Sequence, residues 1–337
     1  MIGPDDLTGA AAHLIHRLGP KPQDSRADLD HLRHAGFEAM FRVPVQPIDV
    51  QVRQRFGVGL ATRDDLSWDS AYRPVAPGYA RRYERDYTPL HRVVARRIRP
   101  RNSKRRPRLI YIHGYMQPET PAEELALLLP LALALNMEVV HIQMPFHGRR
   151  NRGLSVMSGS LFWTVDMVRS LEALRQSLYD ARCLLHWMKR DDPRPIGIAG
   201  ISMGGVLALA LACLDEQFSF ALPCIAHLDI TAMTLHAPVL TVMRQRLRDL
   251  GWKPGDFASL IEATGWNDLR PLIDPSRVCL FAGRHDRFFH PNLVAQMAAE
   301  WGQPNIHWSP TSHLGWIPRL PLHIRKMRRF VDHALEL

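Results

Sequence analysis

Short apolar runs in this chain alternate with longer stretches whose apolar residues recur at three- and four-residue spacing. The runs at 108–113, 138–143, 195–200, 222–227 and 278–283 are almost wholly apolar, as befits strands buried on both faces. A shorter one lies at 305–308. Helical spacing fills 122–135, 159–190, 206–214 and 291–301, and a terminal helix starts near Leu320. Strands separated by helices of this length predict an α/β fold, a mostly parallel central sheet with helices on both faces. The rhythm breaks once, at 229–274, which is helical in pattern, poor in strand character and interrupted at Gly251 and Gly265. That stretch is expected to be a helical cap inserted over the carboxyl ends of the strands.

The first 90 residues are less regular. Prolines at 4, 20, 22, 44 and 47 punctuate two helical patterns, 6–18 and 26–40. Residues 51–60 and 91–98 suit edge strands, and 68–87 reads as an aromatic, arginine-rich loop between them. The expected organisation is an N-terminal appendage (1–90) packed on a core in two parts (91–228 and 275–337), with the cap (229–274) between them.

Candidate chemistry sits where the strands end. The run 195–200 leads through Gly200-Ile201-Ser202-Met203-Gly204 into an apolar helix, the strand-turn-helix setting of a nucleophile elbow. Such a turn strains the serine backbone and brings strand and helix so close that glycine is needed two residues before and after it. It also points the Met203 N–H at any negative oxygen forming on a substrate. A serine nucleophile needs a base, and the base needs an orienting acid. Asp286 follows the strand ending at Gly283, and His313 follows the short strand ending at Trp308, giving the order Ser202, Asp286, His313. His113-Gly114-Tyr115 follows the first buried strand, where a backbone N–H, that of Tyr115, is expected to pair with Met203 as an oxyanion hole.

These motifs together resemble the α/β-hydrolase superfamily, over about residues 90–335. The elbow, His113-Gly114, Gly283-Arg284-His285-Asp286 and Ser312-His313 match its elbow, oxyanion loop, acid loop and base loop. Pro145-Phe146-His147-Gly148-Arg149-Arg150 looks like a loop of esterase- or lipase-like members. The resemblance implies a serine hydrolase cleaving a carboxylic ester. Thioesterases, acyltransferases and peptidases use the same triad, and a non-enzymatic protein with a basic surface is the remaining reading. Asp268 and Asp274 compete for the acid, but Asp286 directly follows a strand end. His285 and His290 adjoin the acid and His307 lies inside the last strand, whereas His313 occupies the loop beyond it. Gly114 and His147 are candidate pocket residues, and Met243 and Trp252 of the cap are expected to roof an apolar acyl pocket.

Composition adds limits. With 337 residues, 46% of them hydrophobic, the chain can bury a large core. The net charge of +10 raises the question of nucleic acid. Only five residues are lysine, however, so 38 of the 43 basic residues are arginine, a skew that codon usage produces as readily as function does. Arg96 to Arg108 carries eight basic residues without interleaved aromatics and is expected to be a solvated hairpin rather than a nucleic-acid arm. Arg244, Arg246 and Arg248 are expected to face solvent or an anionic membrane surface. The four cysteines lack paired spacing, no metal-ligand spacing appears, and no cofactor is expected. The first residues lack a secretory pattern, and the apolar run at 125–137 is too short to span a bilayer, so a soluble, cytoplasmic protein is expected. The expected partner is a small-molecule or lipid ester.

Overall fold

The computed structural model describes residues 4–103, 105–117, 121 and 124–336. Among the described residues nine strands form one sheet: β1 (Gln51–Val58), β2 (Ala61–Asp69), β3 (Arg92–Pro100), β4 (Arg108–Ile112), β5 (Glu138–Ile142), β6 (Ile196–Ile201), β7 (Phe220–Cys224), β8 (Cys279–Gly283) and β9 (Asn305–Ser309). Their order is β1-β2-β3-β5-β4-β6-β7-β8-β9. The first three strands pair antiparallel, β3 meets β5 antiparallel, and the remaining neighbours are parallel. Every residue of β4, β5, β7 and β8 is buried, which explains their largely apolar sequences.

Chain order runs from β4 outward to β5, then back across β4 to β6. The sheet therefore has a switch point between β4 and β6, where ligands bind in open α/β sheets. His113 and Ser202 leave these two adjacent strands, whose ends are in register at Ile112 and Gly200.

The helices are α1 (Pro4–Leu18), α2 (Arg26–Phe41), α3 (Pro77–Asp86), α4 (Leu129–Leu135), α5 (Met167–Arg190), α6 (Met203–Leu214), α7 (Ile230–His236), α8 (Thr241–Asp249), α9 (Pro254–Ala263), α10 (Pro291–Glu300) and α11 (Leu320–Ala334). A π-helical turn, Glu124–Leu128, precedes α4, and positions 122 and 123 of the expected 122–135 helix lie outside the described residues. The region 229–274 is helical throughout its regular parts, with α7, α8 and α9 in succession.

Two features differ from the sequence reading. The stretch 68–87 is not one loop, since it holds the last residues of β2 and the whole of α3. Nor is the basic run a hairpin: β3 and β4 are not neighbours, because β5 lies between them. The arginines of β3 instead face acids on β2, with Asp64 opposite Arg97 and Asp65 opposite Arg96. Arg97 reaches Asp64 at 2.6 Å and Arg96 reaches Glu124 at 2.6 Å. Opposite charges paired directly across two strands favour this register. Lys104 of the run lies outside the described residues.

α5 is buried nearly all round, although it carries Arg169, Glu172, Arg175, Gln176 and Asp180. Residues 1–90 supply hydrogen-bond partners for several of these side chains. Glu172 accepts the Val75 and Ala76 N–H groups at 2.8 and 2.9 Å, and Arg175 donates to the Met40 carbonyl at 2.8 Å. Buried charges persist only when partnered in this way, so the N-terminal segment completes the polar face of α5.

Burial also pushes three histidines, His16, His227 and His323, from 6.5 down to about 4. An unfolded chain holds these rings near 6.5 and so binds more protons than the folded one between pH 6.5 and 4. Their contribution to stability is thus intact above pH 6.5 and lost as pH falls toward 4. The melting temperature should drop between pH 7 and pH 5, measured by circular dichroism. A midpoint unchanged over that range would contradict neutral burial of these rings.

Candidate active site

β6 delivers Ser202 onto α6 with φ 58° and ψ −120°, a conformation that costs a non-glycine residue of order 1–3 kcal/mol. The close approach is visible at both flanking glycines. A Cβ on Gly200 would lie 2.1 Å from the Gly204 carbonyl oxygen, and one on Gly204 would lie 2.1 Å from that of Ile112. The Ser202 N–H donates to the Cys224 carbonyl at 2.9 Å, fixing the turn against the β7 end.

β8 and β9 deliver the other two groups. Asp286 is buried, and its Oδ1 accepts the N–H groups of Phe288 and Phe289 at 2.8 and 2.9 Å. Its Oδ2 lies 2.8 Å from His313 Nδ1. A carboxylate only accepts, so Nδ1 carries the imidazole proton and Nε2 offers its lone pair. Ser202 Oγ stands 3.0 Å from that Nε2. The rings of Phe288 and Phe289 flank His313 at 4.6 and 5.7 Å between centroids. The three residues thus form one hydrogen-bonded chain, although 27 and 111 positions separate its links.

The rival residues lie apart from this chain. Asp274 is exposed and caps the turn Pro275–Arg277, and Asp268 is exposed in the turn Trp266–Asp268. His290 caps α10, His285 is exposed, and His307 is half-buried in β9.

The loop after β4 abuts Ser202: a Cβ on Gly114 would lie 3.6 Å from the Ser202 Cβ. Within that loop the Gly114 N–H donates to Gln117 Oε1 at 2.9 Å, and the Met116 N–H donates to His147 Nε2 at 3.3 Å. The Tyr115 N–H, between them, has no partner among the described residues. Met203 opens α6, and N–H groups at the start of a helix have no partner within it.

A cavity of about 830 Å³ opens from Ser202 and His313. Met233, Val239, Leu240, Trp163, Ile225 and Phe289 line it. So do Pro130 and the exposed Ala134 of α4, and Leu320, Ile324 and the exposed Arg325 of α11. Gly114 lies on this cavity, whereas Met243, Trp252 and His147 do not. Met243 is wholly buried within α8 and packs into the main core. Trp252 is half-buried beside a shallow surface pocket shared with Leu29 and Leu250. His147 is buried against the loop that follows β4. Two of the three arginines expected to face solvent are tied down instead. Arg244 donates to the Ala237 carbonyl at 2.6 Å and Arg246 to that of Pro20 at 3.1 Å.

The walls from α4 and α11 escaped the sequence reading because an apolar helical stripe looks the same whether it meets a sheet or a cavity. Gln117 carried no signal beyond its place four residues after His113. Among the described residues no group of three or more His, Cys, Asp or Glu gathers as a metal site, and all four cysteines are buried and free. No helix among them is long and apolar enough to cross a membrane.

A family model described as "Alpha/beta hydrolase domain containing 18" matches residues 91–247. The uncharacterized protein Rv2627c of Mycobacterium tuberculosis (strain H37Rv) is 29% identical over 262 residues, covering 74% of this chain and 58% of that protein. Uncharacterized protein MT2702 of strain CDC 1551 gives the same figures. The chain therefore spans 58% of the length of these curated relatives. Among solved structures, an acetyl xylan esterase from Paenibacillus sp. R4 is similar at a TM-score of 0.58 and 17% identity, covering 95% of this chain and 98% of that one. Acetyl xylan esterase 1 from Thermoanaerobacterium sp. is similar at 0.55 and 17%, with the same coverage. The sheet order, the elbow between β6 and α6, and these likenesses agree: the chain has the α/β-hydrolase fold, and its residues 91–247 are similar to a family of that fold.

Proposed function

We propose that this chain is a serine hydrolase that cleaves a carboxylic ester with an apolar acyl group. The observation that carries the reading is the Asp286–His313–Ser202 hydrogen-bond chain, with links of 2.8 and 3.0 Å, at the inner end of a largely apolar cavity. In this reading Ser202 Oγ attacks the acyl carbon while His313 Nε2 takes its proton. The N–H groups of Tyr115 and Met203 stabilise the oxyanion. His313 then protonates the leaving alcohol, and water repeats the sequence on the acyl-enzyme. Asp286 holds the productive tautomer and stabilises the imidazolium.

The lining favours a hydrocarbon chain over a small charged acyl group, since hydrophobic side chains make up most of it. A panel of p-nitrophenyl esters from acetate to palmitate, beside acyl-CoA and peptide substrates, tests this. Ester rates should rise from acetate to medium chains and exceed those on thioesters and peptides. Ala134→Trp, at the exposed rim between α4 and α11, should lower rates on the longest esters by at least about tenfold, the scale of discrimination an apolar pocket provides, and leave acetate unchanged. An unaltered chain-length profile would show that the acyl chain does not follow this path.

A further inference from the structure

The loops after β4 and β5 leave neighbouring strands, in register at Ile112 and Ile142, and cross at the sheet edge. Each sends one histidine into the other. His113 Nδ1 lies 2.8 Å from the Gly114 carbonyl, which only accepts, so Nδ1 is protonated and Nε2 receives the Met144 N–H at 3.2 Å. His147 repeats the pattern in reverse. Its Nδ1 donates to the Pro145 carbonyl at 2.8 Å, and its Nε2 receives the Met116 N–H at 3.3 Å. The rings meet edge-on, 4.7 Å between centroids. Burial, with His113 alongside, holds His147 well below the usual histidine range, so its acceptor nitrogen is retained at neutral pH.

These bonds fall on the two peptide planes that flank Tyr115. In a trans peptide the carbonyl and the N–H point in opposite directions. Holding the Gly114 carbonyl toward His113 therefore turns the Tyr115 N–H the other way. Holding the Met116 N–H toward His147 fixes the next plane. Met116 and Phe146 both have φ of 62°, a conformation that persists only where surroundings enforce it. The fit is close, since a Cβ on Gly159 would stand 2.3 Å from His147 Nε2 and 2.9 Å from the Met116 nitrogen.

We propose that His113 and His147 are positioning residues: as a reciprocal clamp they fix both peptide planes around Tyr115 and aim its N–H at the oxyanion. The proposal rests on the serine-hydrolase reading above. Its chemistry is specific, because oxyanion charge develops only on the way to the transition state. A misaimed donor lowers kcat and leaves KM nearly unchanged.

The test compares His147→Gln with His147→Asn. Glutamine can bring its carbonyl oxygen to the place of Nε2 and keep the Met116 bond, whereas asparagine is one methylene too short. H147N should lose about 10²-fold in kcat on a p-nitrophenyl ester, the cost of one oxyanion donor, with KM within about threefold. H147Q should recover to within about tenfold of the parent. The preference for the ester over its thiono analogue, whose sulfur suits the hole poorly, should shrink in H147N and return in H147Q. Should H147N fail to fold, His113→Gln against His113→Asn carries the comparison with the residues exchanged, because asparagine can keep the donor to the Gly114 carbonyl that glutamine loses. A kcat for H147N within about threefold of the parent overturns the clamp. Equal losses in both variants, or a loss confined to KM, also overturn it. A parent protein that neither reacts with a fluorophosphonate nor hydrolyses any ester overturns the serine-hydrolase reading, and the clamp falls with it.

Discussion

Ser202→Ala is expected to abolish the proposed ester turnover and to leave the protein folded. The hydroxyl hydrogen-bonds His313 Nε2 and does not cap α6, so its loss removes little that holds the native state. Alanine also tolerates the φ of 58° no worse than serine does, because both carry one Cβ. Turnover, by contrast, has no other serine, threonine, cysteine or lysine to draw on among the described residues that line the cavity. Removing the serine of such a triad costs about 10⁶-fold in kcat, leaving only what binding and the oxyanion donors supply. Steady-state kinetics and a melting curve on the same preparation check both halves. Residual turnover above about a hundredth of the parent would mean that another group attacks the ester.

Asp286→Asn is expected to lower kcat by about 10⁴-fold with little change in KM. The geometry gives the reason. Oδ1 accepts two backbone N–H groups, from Phe288 and Phe289, so the asparagine oxygen must take that place. Its NH₂ group then faces His313 Nδ1, where only an acceptor fits. The ring is driven into the tautomer that carries its proton on Nε2, and Nε2 can no longer take the proton of Ser202. Asp274→Asn serves as the control, because Asp274 is exposed and only caps a short turn. Near-normal activity in D286N with loss in the Asp274 variant would assign the acid to the wrong residue.

The motif-bearing strand ends were legible because the elbow imposes glycines that no side chain can replace, at Gly200 and Gly204. Asp286 and His313 were legible from their places just beyond strand ends, where an open parallel sheet gathers its ligands. The N-terminal part was not. β2 carries Asp64 and Asp65 in mid-strand, which reads as loop until their partners Arg96 and Arg97 on β3 are known. The cavity beside Ser202 was misplaced for a related reason. Met243 and Trp252 lie on an apolar helical region, but periodicity does not say which neighbour an apolar face meets, and Met243 meets the core. His147 was marked by its loop motif alone. Its bond to the Met116 N–H, 31 residues away, has no trace in the local pattern.

The central claim is that Ser202 is a nucleophile activated by His313. Intact-mass analysis and peptide mapping after reaction with a fluorophosphonate test it most directly, with S202A treated in parallel. The account predicts a single adduct on the parent protein, located on Ser202, and none on S202A. An adduct that persists in S202A, or a parent that stays unmodified while correctly folded, would contradict it.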